Sequence, residues 1–244
     1  MRKPLLVLAS LALSALSLLA GDLTITSRVT GKGPGAKNGT QVQYISPTRM
    51  RVNHEGTHTD TMIDYGNGVM YVIDHSKKRI TRMTFQELQA SMEAMNERMG
   101  AMAGLMSKMM FGDASKVSVQ KEGTDTVLGR PCQKVRISVG KMVEDLSLDP
   151  TLQFPIRDYA KAMSMMSQAP GAMGAFFKRL YEEVSKLHGV ALRTHVKGIM
   201  GLDVTTEATA VSTAAIPASA WALPNDYQVV EGGRELSKSM HPRH

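Results

Sequence analysis

The regular alternation of apolar and polar residues between Leu23 and Met83 constrains the fold more than any other feature of the sequence. Leu23, Ile25 and Val29 alternate with polar residues, which is the period of a strand with one buried face. Similar runs follow at short intervals, separated by turn-forming sequences such as Gly66-Asn67-Gly68. Closely spaced strands joined by short turns predict a single antiparallel sheet.

Strands are predicted in two blocks that flank a helical region. The first block comprises Leu23–Val29, a strand at Val42 and Tyr44, a strand at Met50 and Val52, Thr57–Tyr65, Val69–Ile73 and Arg79–Met83. The second block comprises Lys116–Gln120, Thr126–Leu128, Gln133–Val139, Met142–Leu148, Val190–Lys197 and Leu202–Val211. An extended tail, Ile216–Tyr227, follows the last strand, and we expect Trp221 and Tyr227 to pack it against the sheet.

The period changes to that of a helix at Thr84, which is a good N-cap residue. Glu87 stands three residues later and completes a capping-box pattern. Apolar residues then recur at steps of three and four, which predicts a helix with one apolar stripe that ends near Gly112. The stripe comprises Phe85, Leu88, Met92, Met95, Met99, Met102, Met106 and Met109. A second helical region is predicted at Ile156–Gln168 and Ala175–Leu187.

The first twenty residues have the layout of a secretory signal peptide. Arg2 and Lys3 precede an uncharged apolar run that is too short to cross a membrane, and we expect cleavage after Ala20. No cysteine stands at the cut site, so no lipid anchor is expected. No later run is long and apolar enough for a stable membrane anchor. The mature protein is therefore predicted to be periplasmic or secreted.

The remaining chain is predicted to form one domain at residues 21–231, with a disordered tail at 232–244. The net charge of +7 falls to +5 when Arg2 and Lys3 are removed, and the excess is spread along the chain. Aromatic residues make up 5% of the sequence, so the basic, aromatic-rich face of a nucleic-acid binder is missing. The single cysteine, Cys132, excludes an internal disulfide and is interpreted as a small buried residue.

Several segments together resemble a known bacterial family. They are "DLTITSRVTGKG", "TRMRV", "MIDYGNGVMYVIDHSKKRITRMTFQEL", "VLGRPCQKVRISV" and "IPASAWALPNDYQVVE". The chain resembles the exported family catalogued as domain of unknown function 4412, which is similar to the LolA/LolB-like lipoprotein-localisation superfamily. This resemblance implies an α+β fold, in which a curved antiparallel sheet forms an incomplete β-barrel and helices cover its concave face. It also implies that the concave side can hold acyl chains.

The methionine stripe admits more than one interpretation. It can be ordinary core packing, or it can be an adaptable lining for lipid or for the apolar segment of a partner, because methionine is flexible and polarizable. Thioether sulfur also suits Cu(I), although metal binding would take away the only apolar face of the helix. A sink for oxidants is a further alternative. The ligand-binding hypothesis assigns the site to Phe85, Met92, Met95, Met99, Met102 and Met106.

Motifs of catalysis and cofactor binding are not found in the sequence. It has no GxSxG elbow, phosphate-binding loop or dinucleotide fingerprint, and no HExxH pair among its seven histidines. Asp60, Asp64 and Asp74 are interpreted as salt-bridge partners of Lys77, Lys78 and Arg79. We therefore expect no enzyme, metal site or cofactor.

The sequence thus predicts an exported, non-catalytic protein that binds an apolar ligand such as lipid or a lipoprotein acyl chain. The alternatives are an interaction module that binds a partner protein of the cell envelope and, as a weaker hypothesis, a Cu(I)-binding protein.

Overall fold

The computed structural model describes residues 21–33, 36–99, 117–153, 178, 182–198 and 201–232. Within the helix at Phe85–Met99, the side chains of Met92, Met95, Asn96, Arg98 and Met99 are not described. Most of the described residues lie in strands, so the described part is mostly β rather than the expected α+β.

Within the described residues, twelve strands form one curved sheet that does not close into a barrel. The strands of the first block are β1 (Leu23–Lys32), β2 (Gly39–Ile45), β3 (Arg49–His54), β4 (Thr59–Asp64), β5 (Val69–Asp74) and β6 (Arg79–Thr84). Helix α1 (Phe85–Met99) follows. The later strands are β7 (Val117–Val127), β8 (Arg130–Val139), β9 (Met142–Asp149), β10 (Val190–Lys197), β11 (Asp203–Ser212) and β12 (Gln228–Glu231).

Strand β1 lies in the interior of the sheet and joins its two halves. The order is β12-β6-β5-β4-β3-β2-β1-β11-β10-β9-β8-β7, so each half is a meander of hairpins. Strand β1 pairs with β2 on one side and, across nearly the whole length of the chain, with β11 on the other. These pairings are antiparallel, as the sequence predicts.

Two strand predictions need correction. The runs predicted as separate strands, Lys116–Gln120 and Thr126–Leu128, are replaced by the one strand β7, Val117–Val127; Lys116 lies outside the described residues and Leu128 lies in the turn after the strand. A register shift between Lys121 and Gly123 interrupts its pairing with β8. Gly123 has a φ of +108°, which a residue with a side chain adopts only at a cost, so the glycine accommodates a bulge rather than a turn.

The second correction concerns β12, which the sequence does not predict. This strand pairs with β6 in parallel, so the sheet is antiparallel except at this edge. The segment before it is extended, as expected, apart from a 3-10 turn at Ala218–Trp221. We call residues 213–227 the tail segment.

The two faces of the sheet have different coverings. We call the face that carries Leu23, Ile25 and Ile45 the pocket face, and all three residues are buried there. The opposite face of β2–β5 lies under the tail segment, where the rings of Trp221 and Tyr44 meet edge to face with centroids 6.5 Å apart. Strands β2–β5 carry buried side chains on both faces, so each face needs a covering that keeps it from water.

Helix α1 begins with the predicted capping box. The backbone amide of Thr84 donates to Glu87 Oε2 at 2.8 Å, and the backbone amide of Glu87 donates to Thr84 Oγ1 at 3.1 Å. Phe85, the first helical residue, packs against Tyr65 and the core beside β1. The cap therefore fixes the point where the chain leaves β6 and starts its apolar stripe.

Replacing Thr84 with alanine removes this reciprocal cap. We expect the free energy of unfolding to fall by about 1 kcal/mol, because amide groups at the helix start lose a partner. Thr84→Ser retains the hydroxyl and is the matched control. Urea denaturation followed by circular dichroism measures both variants, and equal losses in the two would contradict a role for the cap.

Candidate functional site

A cavity of about 520 Å³ lies on the pocket face, across the junction of the two halves of the sheet. Strands β1 and β2 form one wall, and β9–β11 form the other together with residues 182–187, a short helical turn before β10. Its lining residues are Ile25, Ser27, Gln41, Gln43, Ile45, Leu146, Leu148, Val184, Ser185, Leu187, Gly189, Val190, Ala191, Leu192, Thr194 and Thr206. The volume is within the range of small-molecule pockets, about 300–1,000 Å³.

Most of the lining is aliphatic. Val184 and Leu187 pack against the buried cluster of β8 and β9, which contains Leu146 and Leu148. A backbone bond from Leu187 to Val184 holds the short helical turn together at 2.9 Å. An aliphatic chain could therefore bury its surface between this turn and the sheet without losing hydrogen bonds.

A stripe of uncharged polar side chains crosses the floor of the cavity. We call Ser27, Gln41, Gln43, Thr194 and Thr206 the polar stripe. Gln41 is opposite Ser27, and Thr206 is opposite Thr194, so the stripe runs over four strands. Ser27 is only 3% exposed, yet no side chain of the stripe has a hydrogen-bond partner within the described residues. Within the described residues no polar atom of the stripe is both fully buried and unpartnered, so its donors and acceptors are open to whatever fills the cavity.

Glu144 lies on the pocket face of β9, just outside the lining of the cavity. It shares the face with Leu146 and Leu148, since alternate residues of a strand point the same way. Its cross-strand neighbours are Ile137 and Val196. The side chain is half-buried and has no ion pair or hydrogen bond within the described part of the chain, and burial raises the pKa of its carboxyl.

The opposite face of β7–β11 is a ladder of ion pairs. Arg136 Nε donates to Asp145 at 2.7 Å, and Arg193 donates to Asp125 at 2.5 Å and to Glu207 at 2.9 Å. These partners lower the pKa of Asp145 and of Asp125 below the usual range, for Asp125 with the largest contribution from the Ser147 hydroxyl. The carboxylates Asp125, Asp145 and Glu207 are therefore paired with arginines on the outer face, in contrast to Glu144.

A second polar cluster, which we call the clasp, joins the tail segment to the sheet. The guanidinium of Arg51 donates to Asp60 at 2.7 Å and to the carbonyls of Ala220 and Ala222 at 3.0 and 2.9 Å. On the other side of Asp60, Nε2 of His75 lies 3.0 Å from the carboxylate. The other ring nitrogen lies 3.0 Å from the hydroxyl of Tyr227.

Arg51 and Asp60 are both buried, so the clasp is satisfied internally and faces away from the cavity. A carboxylate, an imidazole and a hydroxyl in series could relay a proton. Here the Asp60 end is occupied by Arg51 and the hydroxyl end belongs to the tail, so the arrangement attaches the tail to β3–β5.

Of the predicted site residues, only Phe85 has a described side chain, and it is not among the lining residues of the cavity. It is half-buried against the core cluster that contains the cavity residues Ile25 and Ile45. The side chains of Met92, Met95 and Met99, and the whole of Met102 and Met106, lie outside the described residues. The ligand-binding assignment of the methionine stripe thus stays a prediction.

The interpretation of Cys132 as a small buried residue is confirmed, and burial raises the pKa of its thiol. The predicted salt bridges are right only for Asp74, which pairs with Lys77 at 3.3 Å. Asp60 and Asp64 pair instead with Arg51 and Arg49, because those arginines face them on the neighbouring strand β3.

Sequence analysis missed the polar stripe and Glu144. Gln41 and Gln43 alternate with Val42 and Tyr44, and the alternation alone assigns the apolar pair to the core. In the sheet it is the glutamines that face the cavity, since Gln43 is opposite Ile25. A usable signal did exist for Glu144, which stands in the same alternation as Leu146 and Leu148.

The family described as Domain of unknown function (DUF4412) matches residues 35–227. The chain belongs to this family. A comparison of the DUF4412 protein with curated proteins gives no match. Nothing in the described residues is a helix long and apolar enough to span a membrane. Nor do those residues contain a group of three or more His, Cys, Asp or Glu side chains placed to hold a metal ion.

The solved structures that match this chain have low sequence identity and TM-scores below 0.5. An uncharacterized conserved protein from Thermus thermophilus is 11% identical with a TM-score of 0.49, over 87% of this chain and 91% of that one. MucB in the Pseudomonas aeruginosa MucA/MucB complex is 13% identical with a TM-score of 0.44, over 87% and 59%. The LolA superfamily protein NE2245 from Nitrosomonas europaea is 7% identical with a TM-score of 0.31, over 84% and 91%.

Asp60→Ala tests the clasp. We expect the free energy of unfolding to fall by about 3–5 kcal/mol, because the buried guanidinium of Arg51 would lose its counter-charge. Asp226→Ala is the control: it removes an exposed pair with Lys78 and should change stability little. Guanidinium denaturation measures both, and similar small effects would show that the clasp does not hold the tail.

Proposed function

We propose that this DUF4412 protein is an exported, non-catalytic binding protein of the cell envelope whose ligand is apolar or amphipathic, such as a lipid or an acyl chain. The observation that carries the proposal is the aliphatic cavity of about 520 Å³ on the pocket face. The layout of residues 1–20, which lie outside the described residues, supports export.

Affinity in this proposal comes from the burial of apolar surface. Each methylene that leaves water contributes about 0.8 kcal/mol, which corresponds to about a fourfold gain in affinity. The cavity walls from Ile25 and Ile45 to Leu146 and Leu148 supply such a surface without charged groups. A ligand that is mainly hydrocarbon therefore suits this site better than a sugar, a nucleotide or a metal ion.

The methionine stripe belongs to this proposal as a lining or lid. Phe85 packs on the core cluster that includes the lining residues Ile25 and Ile45, so the start of α1 shares a core with the cavity. We extend the ligand site from Phe85 to Met92, Met95, Met99, Met102 and Met106. Flexible thioether side chains would let one site accept chains of different shape.

A role as an interaction module ranks second. Such a module would present a large exposed apolar patch. Among the described residues, the exposed large apolar side chains are Leu128 and Val229, which lie at opposite edges of the sheet. This separation favours ligand binding in the cavity. An enzyme is not favoured, since Glu144 has only aliphatic cross-strand neighbours.

The first experiment is native mass spectrometry of the mature protein purified from its own envelope, with lipid extraction of the same sample. We expect a bound lipid or acyl chain. In a second step the delipidated protein is titrated with single-chain ligands of increasing length. Affinity should rise about fourfold per methylene until the cavity is full. A clean unliganded mass together with no length dependence would refute the proposal.

Leu187→Glu tests the position of the site. It introduces a carboxylate into the cavity wall, so we expect chain binding to fall by at least about tenfold. Leu128→Glu makes the same substitution at an exposed position outside the lining and should bind as the wild type does. Thermal melts confirm that both variants fold. Unchanged binding by folded Leu187→Glu would place the site elsewhere.

A further inference from the structure

A plain hydrocarbon matches the aliphatic walls of the cavity but not its polar stripe. Ser27 is buried, and it shares the floor with Gln41, Gln43, Thr194 and Thr206, none of which has a hydrogen-bond partner within the described residues. A hydrocarbon bound over this stripe would desolvate its hydroxyls and amides without replacing their bonds, at a cost of about 1–3 kcal/mol for each group. A ligand with polar atoms at that level would restore those bonds.

Glu144 lies at one end of the same stripe. It stands two residues from Leu146 along β9, about 7 Å away. Thr194 is opposite Leu146, so Glu144 is the diagonal neighbour of a stripe residue. From Gln43 on β2 to Glu144 on β9, the pocket face thus offers a line of hydrogen-bonding groups that ends in a carboxylate.

No described cation neutralises this carboxylate. Its cross-strand neighbours are Ile137 and Val196, and the arginines of this half of the sheet, Arg130, Arg136 and Arg193, pair with other carboxylates. Burial raises the pKa of Glu144 because desolvation disfavours its charge. A cationic group from outside the chain would relieve this unfavourable state, as a counter-ion does for a desolvated charge.

We propose that the cavity binds a single-chain amphiphile whose head group carries an ammonium, with Glu144 as the counter-ion and the polar stripe as hydrogen-bond partner of the head. This proposal rests on the proposed function and specifies its ligand class. The hydrocarbon occupies the aliphatic walls, and the head lies toward β9 and β10. Chains with a carboxylate head are disfavoured, because two carboxylates would meet in a half-buried site.

The test compares three ligands of equal chain length below their micelle concentrations at neutral pH: dodecylamine, dodecanoate and dodecanol. Mature, delipidated wild-type protein is titrated with each by isothermal calorimetry. The variants are Glu144→Gln, which removes the charge and keeps the shape, and Glu207→Gln, which removes a carboxylate of the outer face. Because Glu144 has no partner to lose within the described residues, Glu144→Gln should fold at least as well as the wild type.

We expect the wild type to bind dodecylamine on the order of tenfold more tightly than dodecanoate, as a charge-assisted hydrogen bond provides. Glu144→Gln should abolish this preference and retain dodecanol binding, and Glu207→Gln should keep the preference. Nonspecific attraction cannot produce this result, since the net positive chain would favour the carboxylate.

The outcomes separate the two proposals. If all three chains bind with similar affinity, or Glu144→Gln keeps the wild-type preference, the ammonium site is refuted while the chain-binding function stands. If no chain binds, the proposed function itself fails. A second substitution, Thr194→Val, tests the stripe: it should weaken the head-bearing ligands and leave a headless alkane unaffected or bound more tightly.

Discussion

The pairing of β1 with β11 is the interaction on which the rest of the structure depends. It pairs Thr24, in the first strand of the chain, with Ser212, in the last strand but one. The pairing thus joins two meanders that could otherwise form separately. Such a long-range contact closes a large loop, whose entropic cost must be offset by burial on both sides. Strand β1 supplies this burial with Leu23 and Ile25, which lie on the pocket face. The cavity is a direct consequence, because its walls belong to different halves and exist only where β1 holds them together.

The same pairing explains why the two faces of the sheet differ. On the outer face of β7–β11, arginines and carboxylates pair with each other, so that face can meet water. On the outer face of β2–β5, the tail segment covers buried side chains through the clasp. Within the described residues, the centre of the pocket face has neither such ion pairs nor a covering by the tail segment. There the aliphatic walls meet the stripe of Ser27, Gln41 and Thr206, whose side chains are open to the cavity and unpartnered within the described residues. A molecule that contacts both kinds of surface would bury the walls and form hydrogen bonds with the stripe.

How far the sequence predicts this arrangement depends on the range of the interaction involved. Local chemistry is sufficient for the capping box at Thr84 and Glu87, for the hairpins of the first block and for the packing of Trp221 and Tyr227 in the tail. It fails at Gly123, where a glycine in a strand accommodates a bulge although the sequence pattern indicates a break. It also fails at β12, whose four residues are too few to show a period and which pairs with a strand far away in the chain. The polar stripe escapes prediction for a related reason, since alternation identifies two faces of β2 but not which of them meets the cavity.

The tail segment, although it lies on the far side of the sheet, also bears on the cavity. Strand β2 has Gln41 and Gln43 on the pocket face and Tyr44 on the other, where Trp221 packs against it. The next strand is held on the same side by Arg51, which binds the carbonyls of Ala220 and Ala222. Strands β2 and β3 are thus held in place from the face opposite the cavity. A backbone that is already held loses less conformational entropy when a ligand orders the glutamine side chains on the pocket face. The segments that carry the family resemblance, around His75 and around Tyr227, meet at this clasp. These two segments therefore help to hold the strands that present the stripe, and the site proposed for the ligand is lined by residues of β1, β2, β9, β10 and β11.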